Sequence, residues 1–168
     1  MTVTAASYRS GMATWNELES AAPELAVLVR ERFDAHLHKT MATIRRDGSP
    51  RISGTEVKFA DGGVWIGSMG GAVKAKDLQR DGRCAFHSAP LDTDMADADA
   101  KFSGVATEVS DLERLRRVWP EWEEHHASGG AHAFHVDVTE MSAATVEGDE
   151  MVIRSWNATD GERTRRRK

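Results

Sequence analysis

Between Lys39 and Ser88 the apolar and polar positions alternate in short runs. They predict strand, turn, strand, turn, strand, glycine-rich loop, short basic helix and strand. Two tight turns, Asp47-Gly48-Ser49-Pro50 and Asp61-Gly62-Gly63, separate runs of hairpin length. Ahead of this block, Thr14 and Glu17 have capping-box spacing for a first helix. Pro23 opens a second, PELAVLVRERFDAH, in which Leu25, Leu28, Val29 and Phe33 form a stripe near helical spacing. Further on, the runs 101–109, 132–138, 142–146 and 150–156 read as strands, the first of them wet on one face. Ser110 or Asp111 is placed to cap a helix, DLERLRRVWPEWEEHH, that Pro120 should kink or break.

Six or seven strands and three or four helices result, without β-α-β alternation and without an internal repeat. The abundance of hairpins predicts an antiparallel sheet, and closure into a small barrel would shield its edges. The expected fold is therefore mainly β, a six- to seven-stranded antiparallel barrel with peripheral helices in a single domain over residues 1–168. Residues 1–14 are expected as a loose N-terminal arm, 90–100 as an exposed acidic loop and 163–168 as a frayed basic tail.

Composition narrows the function. The chain has 168 residues, 40% hydrophobic and 29% charged, which suits one ordinary globular domain with a core of its own. A net charge of −5 argues against a general nucleic-acid binder. No apolar run approaches the roughly 20 residues of a membrane span, and no secretion signal is read at the N-terminus, so a cytoplasmic location is expected. Cys84 is the single cysteine, which excludes an intrachain disulfide and a multi-cysteine metal site; its strand context predicts a buried, inert thiol.

Candidate chemistry gathers where the third strand of the block runs into Gly67-Ser68-Met69-Gly70-Gly71 and a lysine-bearing helix. Backbone N–H groups and lysines converging there suit a phosphate-bearing ligand. Lys74 falls in the first turn of that helix. Lys76, the second candidate, points roughly 200° away around an ideal helix, so the two cannot address one phosphate alike. On the preceding strand, Arg51, Ser53, Thr55 and Val57 share one face, and Ile52, Gly54, Glu56 and Lys58 the other. Neither face is cleanly apolar, which asks for a ligand or a partner subunit. Gly54, in mid-strand, suggests close approach of another backbone or a ring. His36, His38, His125, His126, His132 and His135 do not converge as a zinc site requires, so no metal is expected. Asp92, Asp94, Asp97 and Asp99 read as solvated loop charges. No Gly-x-Ser-x-Gly elbow is present and no dedicated acid or base stands out, so no catalytic residue is assigned.

The segments Ala42-Thr43-Ile44-Arg45-Arg46-Asp47-Gly48-Ser49-Pro50, Trp65-Ile66-Gly67-Ser68 and Lys74-Ala75-Lys76-Asp77-Leu78-Gln79-Arg80-Asp81-Gly82-Arg83 stand in a familiar order. Together they resemble the pyridoxamine 5′-phosphate oxidase-like family of flavin-binding split barrels. The resemblance implies a split β-barrel homodimer with FMN at the dimer interface, or the deazaflavin coenzyme F420 in a related branch. By position it implies Lys74 and Ser68 as phosphate anchors, Ser53 and Thr55 beside the ring, and Lys58 toward a small organic substrate. Trp65 and Trp156 are candidate stacking walls. Ala72-Val73 precedes Lys74 where the true oxidases have Ser-Arg, and Ser53 stands at their strand arginine. Loss of two guanidinium groups removes bidentate phosphate contacts and argues against vitamin B6 oxidation itself. The implied activity is hydride transfer with FMN or F420; the alternative is a non-catalytic module carrying haem or another cofactor.

Overall fold

The computed structural model describes residues 11–89, 98–123 and 130–168. Two helices come first, α1 (Trp15–Ala21) and α2 (Pro23–Asp34). The Thr14–Glu17 capping box forms at the start of α1, and Pro23 occupies the first turn of α2, where its missing N–H costs nothing. The strands are β1 (Lys39–Ile44), β2 (Pro50–Thr55), β3 (Lys58–Ala60), β4 (Gly63–Met69), β5 (Arg83–His87), β6 (Asp99–Glu108), β7 (Ala131–Glu147), β8 (Glu150–Asn157) and β9 (Gly161–Arg167). Helix α3 (Val73–Arg80) links β4 to β5, and α4 (Leu112–Val118) follows β6. Asp111 caps α4 through its side chain, and the helix stops just ahead of Pro120.

All the strand pairings are antiparallel, along the path β2-β1-β5-β6-β7-β4-β3. Strand β7 pairs with β6 on one edge. On its other edge it meets β4 with its first residues and β8 with its last, so the sheet forks there. No ladder joins β2 to β3 among the described residues. The barrel is split rather than closed.

Nine strands replace the expected six or seven. The runs 132–138 and 142–146 are one strand of 17 residues. A register shift opposite Ser103 and Gly104 switches its buried positions from Phe134, Val136 and Val138 to Met141 and Ala143. This change of phase makes one strand read as two. Gly104 is required at the bulge, because a Cβ there would lie 2.4 Å from the Asp137 carbonyl oxygen. The expected frayed tail is largely β9, paired with β8 from Met151↔Arg167 to Asn157↔Gly161. The expected arm ends pinned: Ala13 exchanges two backbone hydrogen bonds of 2.8 Å with Val138. Residues 1–10 lie outside the described residues, as do 90–97 of the expected acidic loop, while Asp99 and Ala100 already belong to β6.

The core forms where α1 and α2 pack on β4, β6 and β7. Phe59 lies 4.5 Å from Trp15 and 6.2 Å from Phe33, and Phe102 stacks on Phe86 at 4.6 Å. A second apolar cluster joins Trp65 on β4 to Leu115, Val118 and Trp122. Cys84 is buried as expected, and burial pushes its thiol up to about 12.

Candidate functional site

The β4–α3 junction opens onto a cleft of about 1040 Å³. Its floor is the end of β4, Gly67 to Met69, and its sides are the 54–58 segment and the two tryptophans that follow α4. Sequence dictates this layout locally. Gly71, at φ +73°, turns the chain out of β4 in a conformation that side chains disfavour. Helix α3 then starts at Val73, which puts Lys74 in its first turn.

Lys74 and Ser68 both line the cleft. The half-buried Lys74 ammonium donates to the Gly54 carbonyl at 2.7 Å. Burial lowers its pKa, and the Glu56 carboxylate opposes that shift. The Ser68 hydroxyl oxygen is buried with no hydrogen-bond partner among the described residues. An unpaired buried hydroxyl is costly, and a ligand oxygen would satisfy it. At Gly54 a Cβ would find nothing within 4 Å, so no protein backbone or ring approaches it among the described residues.

The other sequence candidates divide. Thr55 is buried on the cleft wall, where its hydroxyl donates to the Glu56 carbonyl at 3.3 Å. Lys58 lines the cleft, but it opens β3 rather than ending the second strand, because β2 stops at Thr55. Ser53 is half-buried two residues earlier on β2 and does not line the cleft. Lys76 is exposed and lies off the cleft. Trp65 stands in the cleft wall, whereas Trp156 is buried in the main core and is no part of it.

Several residues in or beside the cleft escaped the sequence reading. Trp119 and Trp122 build an aromatic wall, 5.3 Å apart, with Trp119 edge-on to Trp65 at 6.0 Å. Their signal was the pair of tryptophans flanking Pro120, read only as helix. The Arg114 guanidinium sits 4.6 Å from the Trp65 ring centre. Lys39 is buried, and its ammonium bonds the carbonyls of His36 and Leu37, fixing the segment that brings Leu37 and His38 to the cleft.

Asp77 does not line the cleft but supports it through α3. It is 3% exposed on α3 and accepts hydrogen bonds from Arg51 at 2.6 Å, Thr43 at 3.0 Å and Arg80 at 3.2 Å. Burial alone would raise its pKa; the bonds from Arg51, Thr43 and Arg80 prevail and hold it below the ordinary carboxylate value. This cluster ties α3 to β1 and β2 and so positions Lys74. It also occupies Arg51, the arginine of β2.

Among the described residues no group of three metal-ligating side chains occurs. His132 bonds Glu108 at 2.6 Å, whereas His135 packs against Trp65 at 5.0 Å; His125 and His126 lie outside the described residues. No helix among them is long and apolar enough to cross a membrane.

A family profile described as pyridoxamine 5′-phosphate oxidase matches residues 28–147, more than half of the chain. No curated protein matches the chain. Among solved structures, PhzG of Burkholderia lata, in complex with tetrahydrophenazine-1-carboxylic acid, superposes with a TM-score of 0.63 at 12% identity over 90% of this chain and 96% of its own. A conserved hypothetical protein of Mycobacterium tuberculosis gives 0.57 at 23% identity, over 68% and 82%. A haem-binding protein of Mycobacterium smegmatis gives 0.59 at 16% identity, over 78% and 57%. At these identities the likeness is one of fold.

Proposed function

Because the chain belongs to the pyridoxamine 5′-phosphate oxidase family, we propose that it is a flavin-dependent oxidoreductase holding FMN in the cleft at the β4–α3 junction. The observation that carries this reading is the Ser68 hydroxyl, without a partner among the described residues, in the same cleft as the Lys74 ammonium. Together they offer a neutral donor and a charged donor to a phosphate. Thr55 and the open space over Gly54 leave room for a ring system, and the tryptophan wall excludes water from it. When bound, a flavin would supply the hydride chemistry; the protein supplies binding, orientation and electrostatics. Lys58 would attract an acidic group of a small organic substrate. Vitamin B6 oxidation itself is disfavoured: Ser53 and Ala72-Val73 stand where guanidinium groups are needed, and Arg51 is held by Asp77.

Leu37 and Met69, which line the cleft, are 64% and 81% exposed, and Ile52 on β2 and Val73 at the start of α3 are 75% and 54% exposed. A second copy of the chain covering these side chains would bury them, giving a homodimer.

Equilibrium binding tests the assignment. Lys74→Ala should raise the FMN dissociation constant about ten- to hundredfold, the worth of one charged hydrogen bond. Lys76→Ala should leave it unchanged. Equal affinity in wild type and Lys74→Ala would remove the phosphate assignment. Tight uptake of F420 without FMN would transfer the same pocket to a deazaflavin. A haem module is the second reading, favoured by His38 standing exposed at the mouth of an apolar cleft. A Soret band that His38→Ala abolishes would select it.

A further inference from the structure

The sheet carries a second, basic groove, built by strands that the proposed cofactor site does not use. Lys101, Ser142, Ser155 and Arg163 form one row across β6, β7, β8 and β9, each directly opposite the next. Arg163, Arg165 and Arg167 alternate along β9 and so share a face. With Lys101 and the serine hydroxyls they line a depression of about 360 Å³. The arginines on the opposite face are taken: Arg166 pairs with Glu147 and Glu150, and Arg154 with Glu24. On the groove face Arg163 pairs with Asp160 at 2.7 Å, but Lys101, Arg165 and Arg167 have no acidic partner among the described residues. Lys101 and three arginines face only the two carboxylates of Glu140 and Asp160 among the described residues, so the groove is net positive and poised for an anion.

We propose that this groove binds a small oligophosphate, a ligand of the di- or triphosphate class. Guanidinium groups grip phosphate oxygens in bidentate pairs, and the hydroxyls of Ser142 and Ser155 line the same groove, whereas Ser103 donates to Glu140 at 3.1 Å. Alternate residues of a strand lie roughly 6.6 Å apart, so neighbouring arginines address successive groups of a short chain rather than one phosphate. An extended polynucleotide fits less well. The chain carries a net charge of −5, which repels the length of a polyanion that runs beyond the groove, whereas a short oligophosphate stays among its arginines.

Calorimetric titration of the full chain with inorganic triphosphate near physiological salt tests this. Saturable one-to-one binding is expected. The double variant Arg165→Ser/Arg167→Ser should weaken it about tenfold or more, from the loss of two charged contacts. Lys101→Ser, on a different strand, should weaken it too, and Lys74→Ala should leave it intact, which separates this groove from the cofactor cleft. Unchanged affinity in the arginine and lysine variants would overturn the proposal, as would a loss confined to Lys74→Ala. Single-stranded oligonucleotides that bind through the same arginines, ever tighter with length, would replace it with a non-specific polyanion surface. Dissociation of a dimer in the arginine variant, without triphosphate binding, would show that the groove is a subunit contact.

Discussion

Ser68 and Lys74 stand in the same cleft, yet the protein uses them differently. Lys74 has a partner, the Gly54 carbonyl, which a ligand phosphate would have to compete with or share. Ser68 has none among the described residues. Replacing Ser68 with alanine therefore removes an unsatisfied buried group. Ser68→Ala should leave the thermal midpoint of ligand-free protein unchanged or slightly higher, while weakening FMN about tenfold. Thermal denaturation with and without FMN separates the two effects; a fall in the ligand-free midpoint would mean that the hydroxyl is structurally bonded. The positions of these two residues were legible in the sequence, because a glycine loop leading into a basic helix has few other geometries. The tryptophan wall was not, since Trp119 and Trp122 reach the cleft only after α4 folds back over β4.

At the scale of elements, α3 depends on Asp77. Its carboxylate collects Arg51, Thr43 and Arg80 from three different elements, so the helix carrying Lys74 is anchored at one buried point. Asp77→Asn should cost about 1–3 kcal/mol of stability, because the buried donors lose a charged acceptor. The folded pKa of Asp77 lies below its ordinary 3.8. Its stabilisation is therefore complete above the unfolded value and is lost as pH falls through the lower folded value. Denaturant titrations across the acid range should show a shallower decline for Asp77→Asn than for wild type. Strand β9 illustrates the opposite case. Its run of arginines has no apolar alternation, so nothing local marks it as a strand; the free edge of β8 supplies the pattern by pairing with it. The single strand β7 was hidden likewise, since its bulge exchanges the buried parity midway.

For the whole molecule, the exposed apolar side chains of Leu37, Ile52, Met69 and Val73 make the proposed homodimer testable. Ile52→Glu/Met69→Glu should convert a dimer to a monomer in sedimentation velocity and weaken FMN in parallel, because charge on a buried apolar contact is costly. Persistence of the dimer would place the subunit contact elsewhere. Sequence alone determined the antiparallel character of the sheet, the order of the hairpins, the capping box at Thr14, the helix start at Pro23 and the run of a glycine-rich loop into the lysine-bearing helix. Those features depend on residues close together in the chain: turn formers, caps and period-two runs. Tertiary structure decided the forking of the sheet at β7, the burial of Asp77 beneath Arg51, the tryptophan wall and the arginine face of β9. Each of these requires contacts between segments tens of residues apart, whose energies arise only when distant surfaces meet and exclude water.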